Sequence, residues 1–140
     1  MRLRPMLLIP LLLAGCVQTQ VKAPTLYDQL GGKAGVAAIT ENLLDAFAAD
    51  PQVAPSFAHV DIRRWKRVFA DYLCQTADGP CQYRGDSMEE VHRGMHIDEA
   101  MFNAVVEDLI TAMDRQHVPV RVQNRLIARL APTRAQMLYR

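Results

Sequence analysis

The stretch GPCQYRGDSMEEVHRGMHI, residues 79–97, decides how this chain is read. Gly79-Pro80 signals a turn, and the residues from Cys81 to Asp86 read as a loop. Ser87, three residues before Glu90, has the form of a capping box, so a short helix starts at Met88. It reaches His92 within about one turn and stops near Gly94, since glycine is the commonest residue just past a helix end. His92 and His96 stand four apart, which on a continuous helix would put both on one face and let them share a metal. A break at Gly94 removes that face, and no further cluster of cysteine, histidine or carboxylate completes a four-ligand set. A zinc site is therefore the weaker reading.

Outward from this stretch every segment reads helical, without sustained strand-like alternation. Thr25, with Asp28 three residues on, caps a short helix LYDQL that ends at Gly31-Gly32. A longer helix runs from about Lys33 to Ala49, its apolar positions Val36, Ile39, Leu43 and Phe47 at helical spacing, and Asp50-Pro51 breaks it. Phe57 lies in the connection that follows. Asp61 caps a helix whose apolar stripe is Ile62, Trp65, Phe69, Tyr72 and Leu73, with Arg63, Arg64, Lys66 and Arg67 on a solvated face. Asp98 caps the next, with Phe102, Val105, Val106, Leu109, Ile110 and Met113 inward. The last helix carries Val122, Leu126, Ile127 and Leu130, and Pro132 should kink or end it. At 140 residues and half hydrophobic, the chain is one all-α domain with a real core. A net charge of +1 gives no footprint for nucleic acid.

The beginning of the chain reads differently. MRLRPMLLIPLLLAGC (residues 1–16) has two arginines, an apolar run too short to span a bilayer, then small residues and a cysteine. Its end, Leu13-Ala14-Gly15-Cys16, resembles a bacterial lipobox. Residues 1–15 are then a lipoprotein signal peptide, Cys16 carries lipid, and residues 16–24 are a polar tether; an ordinary signal peptide with an incidental cysteine is the alternative. Loss of Arg2 and Arg4 would turn the charge from +1 to −1. Export implies the periplasm, membrane-anchored through lipid. Val17 is not the aspartate that retains lipoproteins at the inner membrane in some bacteria, which leans toward the outer membrane. In an oxidising compartment Cys74 and Cys81, bracketing a turn, are candidates for a disulfide, with two free buried thiols as the alternative.

A lone histidine at a helix end is more often structural than a ligand. His92, however, sits among Met88, Val91, Met95 and Ile97, and the stripe of Trp65 and Phe69 with the loop residue Phe57 is available to face it. A flat apolar group between two such faces needs one neutral imidazole, which is the layout for haem.

On these residues the chain resembles the truncated haemoglobins of group I. LYDQLGG (26–32), AADPQVAPSF (48–57), GPCQYRGDSMEEVHRGMHI (79–97) and FNAVVEDL (102–109) carry the resemblance, which spans residues 25–140. It implies a two-over-two globin sandwich with haem b between the helix pairs. His92 matches the proximal histidine and Phe57 the phenylalanine that packs on the haem. Gly31-Gly32 matches one glycine pair of the family; Gly79 matches half of the other, with Asp78 in its partner's place. Contacts to the cofactor are expected from His92, Phe57, Trp65, Phe69, Leu44, Met88, Met95, Ile97, Phe102 and Val106. The distal side departs from the family. Leu44 stands where many members have tyrosine, Phe69 where glutamine is frequent, and Val68 where a basic residue often meets a propionate. An apolar distal pocket follows, with Trp65 either a gate or donor near it or a plain core aromatic.

The resemblance implies reversible binding of oxygen, nitric oxide or carbon monoxide. Nitric oxide dioxygenation would make the chain an enzyme, but no flavin or nicotinamide motif is present, so a reductase would be a separate protein. The competing reading is a helical lipoprotein that works as a protein-interaction module, its cavity filled by side chains such as Trp65 and Phe69.

Overall fold

The computed structural model describes residues 22–140. The expected signal peptide, Cys16 and the tether up to residue 21 lie outside the described residues. The elements are α1 (Leu26–Gln29), α2 (Gly32–Ala49), a 3-10 turn (Ala54–Phe57), α3 (Ile62–Thr76), α4 (Met88–His92), α5 (Glu99–Arg115), α6 (Val120–Leu130), a second 3-10 turn (Ala131–Thr133) and α7 (Arg134–Met137). No strand occurs among the described residues. Two helix pairs, α2 with α3 and α5 with α6, stack on one another through α2 on α5 and α3 on α6. This is the two-over-two globin sandwich.

Side-chain caps set most of the helix starts. Thr25 and Asp28 close a reciprocal capping box on α1, and Asp61 and Asp98 accept backbone N–H groups at the starts of α3 and α5. On α2, Val36, Ile39, Leu43 and Phe47 are buried along one stripe, each contributing roughly 1.5–3 kcal/mol of hydrophobic stabilisation. Thr40 shares that buried stripe because its hydroxyl donates to the Val36 carbonyl at 2.9 Å, so no polar atom is stranded. Between α1 and α2 the chain turns through Gly31 at φ 92° and Gly32 at φ 62°, conformations that cost a side chain energy. A Cβ at Gly35 would overlap the Leu30 carbonyl oxygen.

Pro132 ends α6 as expected, but the chain re-enters a helical turn, α7, which the sequence pattern did not reveal. Among the residues expected inward on α5, Leu109 and Met113 are buried together with Ala112; Phe102, Val105, Val106 and Ile110 are only half-buried. On α3 the difference is larger. Of its expected stripe, Leu73 alone is fully covered and Ile62 is exposed.

Candidate functional site

Helix α4 is five residues long, and none of them is buried. A helix this short does not hold itself together in water; its ends hold it. The Ser87 hydroxyl accepts the Glu90 N–H at 3.2 Å, while the Glu90 carboxylate accepts the Ser87 N–H at 3.0 Å and hydroxyl at 2.7 Å. These contacts hold the Glu90 carboxyl below its ordinary range. In the last turn, His92 Nδ1 lies 2.7 Å from the Met88 carbonyl oxygen. A carbonyl only accepts, so Nδ1 carries the proton and Nε2 keeps its lone pair. In this tautomer the half-buried imidazole has Nε2 available as a ligand nitrogen.

The helix then breaks. Arg93 is extended, Gly94 takes φ 81° and His96 φ 50°. His92 and His96 therefore share no helical face, and His96 is exposed. Among the described residues, no three His, Cys, Asp or Glu side chains gather into a metal-binding group.

The end of the chain closes over this break. The Gly94 and His96 N–H groups both donate to the Arg140 carbonyl at 3.1 Å, and the Tyr139 N–H donates to the Ile97 carbonyl at 2.9 Å. Ile97 is buried. Arg134 pairs with Glu99 and places its guanidinium 5.8 Å from the centre of the Phe102 ring. Sequence reasoning missed Tyr139 and Arg140, because backbone pairing between distant segments leaves no side-chain pattern, and Arg134, because its partners Glu99 and Phe102 are far from it in sequence.

An aromatic wall runs along α3 and is extended by Phe47 of α2 and Phe57 of the 3-10 turn. Phe47, Phe57 and Trp65 form a triangle of rings with centroids 5.1–6.1 Å apart. Trp65 stacks on Phe69 at 4.6 Å, Phe69 leans on Tyr72 at 6.4 Å, and Tyr72 meets Tyr83 of the loop at 5.2 Å. Trp65, Val68, Phe69 and Tyr72 are only half-buried. Helix α3 packs on α2 and α6, and makes no extensive contact with α4 or α5. Apolar residues are left only half-covered on three elements: Trp65 and Phe69 on α3, Met88 beside His92 on α4, Phe102 and Val106 on α5. Met95 and Val91 are exposed.

Leu44 lies with Phe57, another residue expected at the cofactor. With Phe47, Phe57 and Ile62 it lines a groove of about 490 Å³ between α2 and the start of α3. Glu41 and Lys66, an exposed pair 2.8 Å apart, also line it.

The loop leading to α4 is fastened at several points. Cys74 and Cys81 are joined by a disulfide, their Cα atoms 5.7 Å apart. The Tyr83 N–H donates to the Gln75 side chain at 2.7 Å, and the Tyr83 hydroxyl to the Asp86 carbonyl at 2.6 Å. Just before the loop, Asp78 occupies the left-handed region at φ 61°. The Gly79 N–H reaches the Cys74 carbonyl at 2.8 Å and the Asp78 N–H the Gln75 carbonyl at 3.2 Å, which is the Schellman ending of a helix with aspartate in the usual glycine place. Arg129 holds the Asp78 carboxylate at 2.6 Å and donates to the Thr76 carbonyl at 2.7 Å. That guanidinium keeps the Asp78 carboxyl below its ordinary range.

A sandwich of two helix pairs, with a short capped helix carrying one half-buried imidazole, agrees with what comparison with known proteins finds. The family description "Bacterial-like globin" matches residues 25–139. The chain belongs to this globin family. Its relatives are truncated haemoglobins of group 1. That of a Nostoc strain is 33% identical over 89 residues, 64% of this chain and 75% of the relative. The Tetrahymena pyriformis protein is 29% identical over 117 residues, 84% of this chain and 97% of the relative. The crystal structure of the T. pyriformis protein in its Fe(III) form superposes with a TM-score of 0.81 at 28% identity, covering 84% of this globin and all of that chain. A 2/2 haemoglobin from a Synechococcus strain, solved with covalently attached haem, shares the fold at a TM-score of 0.77 and 23% identity, with the same coverage.

Proposed function

We propose that this globin binds haem b through His92 and takes up diatomic gases at the iron. The observation that carries the reading is the His92 Nδ1 contact with the Met88 carbonyl, which leaves Nε2 as the free ligand nitrogen. The lining chemistry fits the group: Trp65, Phe69, Met88, Phe102 and Val106 are apolar residues that the protein itself leaves half-uncovered, and a porphyrin face would cover them. Bound haem supplies an iron that, when ferrous, binds oxygen, nitric oxide or carbon monoxide reversibly.

The chain's own residues set the rest. Met88 fixes the imidazole tautomer, while the capping box and the Arg140 carbonyl hold the short helix and its exit in place. Trp65, Phe69, Phe102 and Val106 provide apolar contact to the porphyrin and exclude water. Bound oxygen draws negative charge that hydrogen-bond donors stabilise. With Leu44 and Phe69 at the positions where family members carry donors, oxygen release and autoxidation are expected to be faster than in a tyrosine-bearing relative. An oxygen dissociation rate as slow as that relative's would refute this.

Haemin titration of the domain beginning after Cys16, beside His92→Ala, tests the central reading. Wild type should take up one haem with an axial-imidazole spectrum, and the variant should lose that spectrum and regain it with added imidazole. A wild type without a haem absorption band would end the proposal. The cellular setting is part of the same reading: lipid on Cys16, a periplasmic position at a membrane, and electrons from a separate reductase. Its support is the leader and lipobox of residues 1–16, and mass spectrometry of the mature N-terminus tests it.

A further inference from the structure

The aromatic wall does not stop at α3. From Trp65 it continues through Phe69 to Tyr72, and from there to Tyr83 on the disulfide-bounded loop. Three of the four rings, Trp65, Tyr72 and Tyr83, are those a protein can oxidise by one electron, and the fourth, Phe69, joins them. Trp65 and Tyr72 are two helical turns apart, about 10 Å along α3, and Phe69 bridges that span with one ring stacked and the other tilted. Electron transfer weakens steeply with distance, so rings in van der Waals contact divide one long step into short ones.

The outer end is built differently from the inner. Trp65 and Phe69 are in apolar surroundings. The Tyr83 ring packs over Gly85, where a Cβ would collide with it, and its hydroxyl is bonded to the Asp86 carbonyl. Burial, then the Asp86 carboxylate, push the Tyr83 phenol above its ordinary value, so it is protonated at neutral pH. A phenol that loses an electron must shed that proton, and the exposed Asp86 carboxylate beside it and water can take it.

We propose that Trp65, Phe69, Tyr72 and Tyr83 form a relay that carries an oxidising equivalent from the cleft to the surface. The oxidant is a peroxide reacting at the cofactor, so this use of the relay rests on the haem reading. Cleaving the peroxide O–O bond at a ferric cofactor would take two electrons: one oxygen leaves as water with both peroxide protons, and the other stays on the iron, which rises by one oxidation level. One electron comes from the cofactor and one from Tyr83 by way of Tyr72 and Trp65. Tyr83 is left as a neutral phenoxyl radical, its proton passed to Asp86 or water, where a soluble reductant can restore it. The relay spares the cleft its own oxidation.

Trp65 is the sole tryptophan and there are four tyrosines, which makes the test clean. Azide radicals generated by pulse radiolysis oxidise tryptophan in preference to tyrosine, and act on the full chain with or without cofactor. The Trp65 radical should decay at a rate independent of protein concentration while a tyrosyl band grows. Replacing both Tyr72 and Tyr83 by phenylalanine should abolish that growth; Tyr27→Phe with Tyr139→Phe should leave it intact. Growth that survives the first pair, disappears with the second, or depends on concentration overturns the relay. The second arm adds hydrogen peroxide to haem-loaded chain and follows freeze-quenched electron paramagnetic resonance. A tyrosyl signal lost in the Tyr72/Tyr83 pair is expected; a loaded wild type without one refutes the peroxide role. Absence of any haem absorption band would instead defeat the haem reading, and the pulse result would still decide the relay.

Discussion

Cys81→Ser opens the Cys74–Cys81 bridge at its half-buried end, leaving the buried Cys74 in place. The sequence separation is 7, so the bridge closes a loop of eight residues. In the chain-entropy relation this loop restricts the unfolded state by roughly 2.5 kcal/mol. For a domain of this size such a loss lowers Tm by about 10 °C. The effect should extend to the site, because the same loop leads directly into α4, which has no buried residue of its own. Urea and thermal unfolding of wild type, oxidised and reduced, beside Cys81→Ser would measure it, together with haemin titration of each. Reduced wild type and the variant should coincide, both less stable than the bridged chain and both weaker for haemin. If the variant matches bridged wild type in stability, the loop is already ordered in the unfolded chain and the entropy argument fails. If stability falls while haemin affinity is unchanged, the capping box and the Arg140 contacts alone hold His92.

Three further substitutions separate local preference from packing. Gly35→Ala gains about 1 kcal/mol of helix propensity but forces a methyl group onto the Leu30 carbonyl, so it should destabilise by about 2 kcal/mol net; stabilisation in urea titration would show that α1 can move aside. His117 ends α5 at φ 52° in the position a glycine usually takes, with the Val118 N–H returning to the Met113 carbonyl, so His117→Gly should raise stability by roughly 0.5–1 kcal/mol, read as a higher denaturant midpoint. Asp108 has a buried carboxylate oxygen with no hydrogen-bond partner among the described residues, and burial, then Asp50 and Glu107, raise its pKa. A raised acid favours folding only while protonated, so its contribution is lost as pH rises through the raised value. Asp108→Asn should therefore be more stable than wild type near pH 7, and the gain should vanish by about pH 3; an equal gain at both would refute the charge account.

The helices were legible because their ends carry chemistry. Thr25 with Asp28, Asp61, Ser87 with Glu90, and Asp98 announced four starts, and Gly94 announced the break that separates His92 from His96. What periodicity hides is how completely a stripe is covered. The apolar face of α3 reads like that of any core helix, yet Trp65 and Phe69 are half-exposed, since a pattern of residue types cannot say whether protein or something else lies against it. Leu44 is a similar case: its place on α2 is plain, but which groove it lines depends on the angle of α3. Asp78 and Arg129, 51 positions apart, meet because α3 and α6 pack, and nothing local to either residue signals the pair.

Helix α4 is fastened by polar contacts at its two ends and by no buried side chain. Such a segment can open while the four main helices stay folded, because little apolar surface is exposed when it does. Its amides should therefore exchange with solvent hydrogen long before those of α2 or α5, as a small unit of their own. Anything that grips His92 would be registered there first, as slowed exchange confined to a few residues against an unchanged background. The helix that carries His92 thus doubles as the site's reporter.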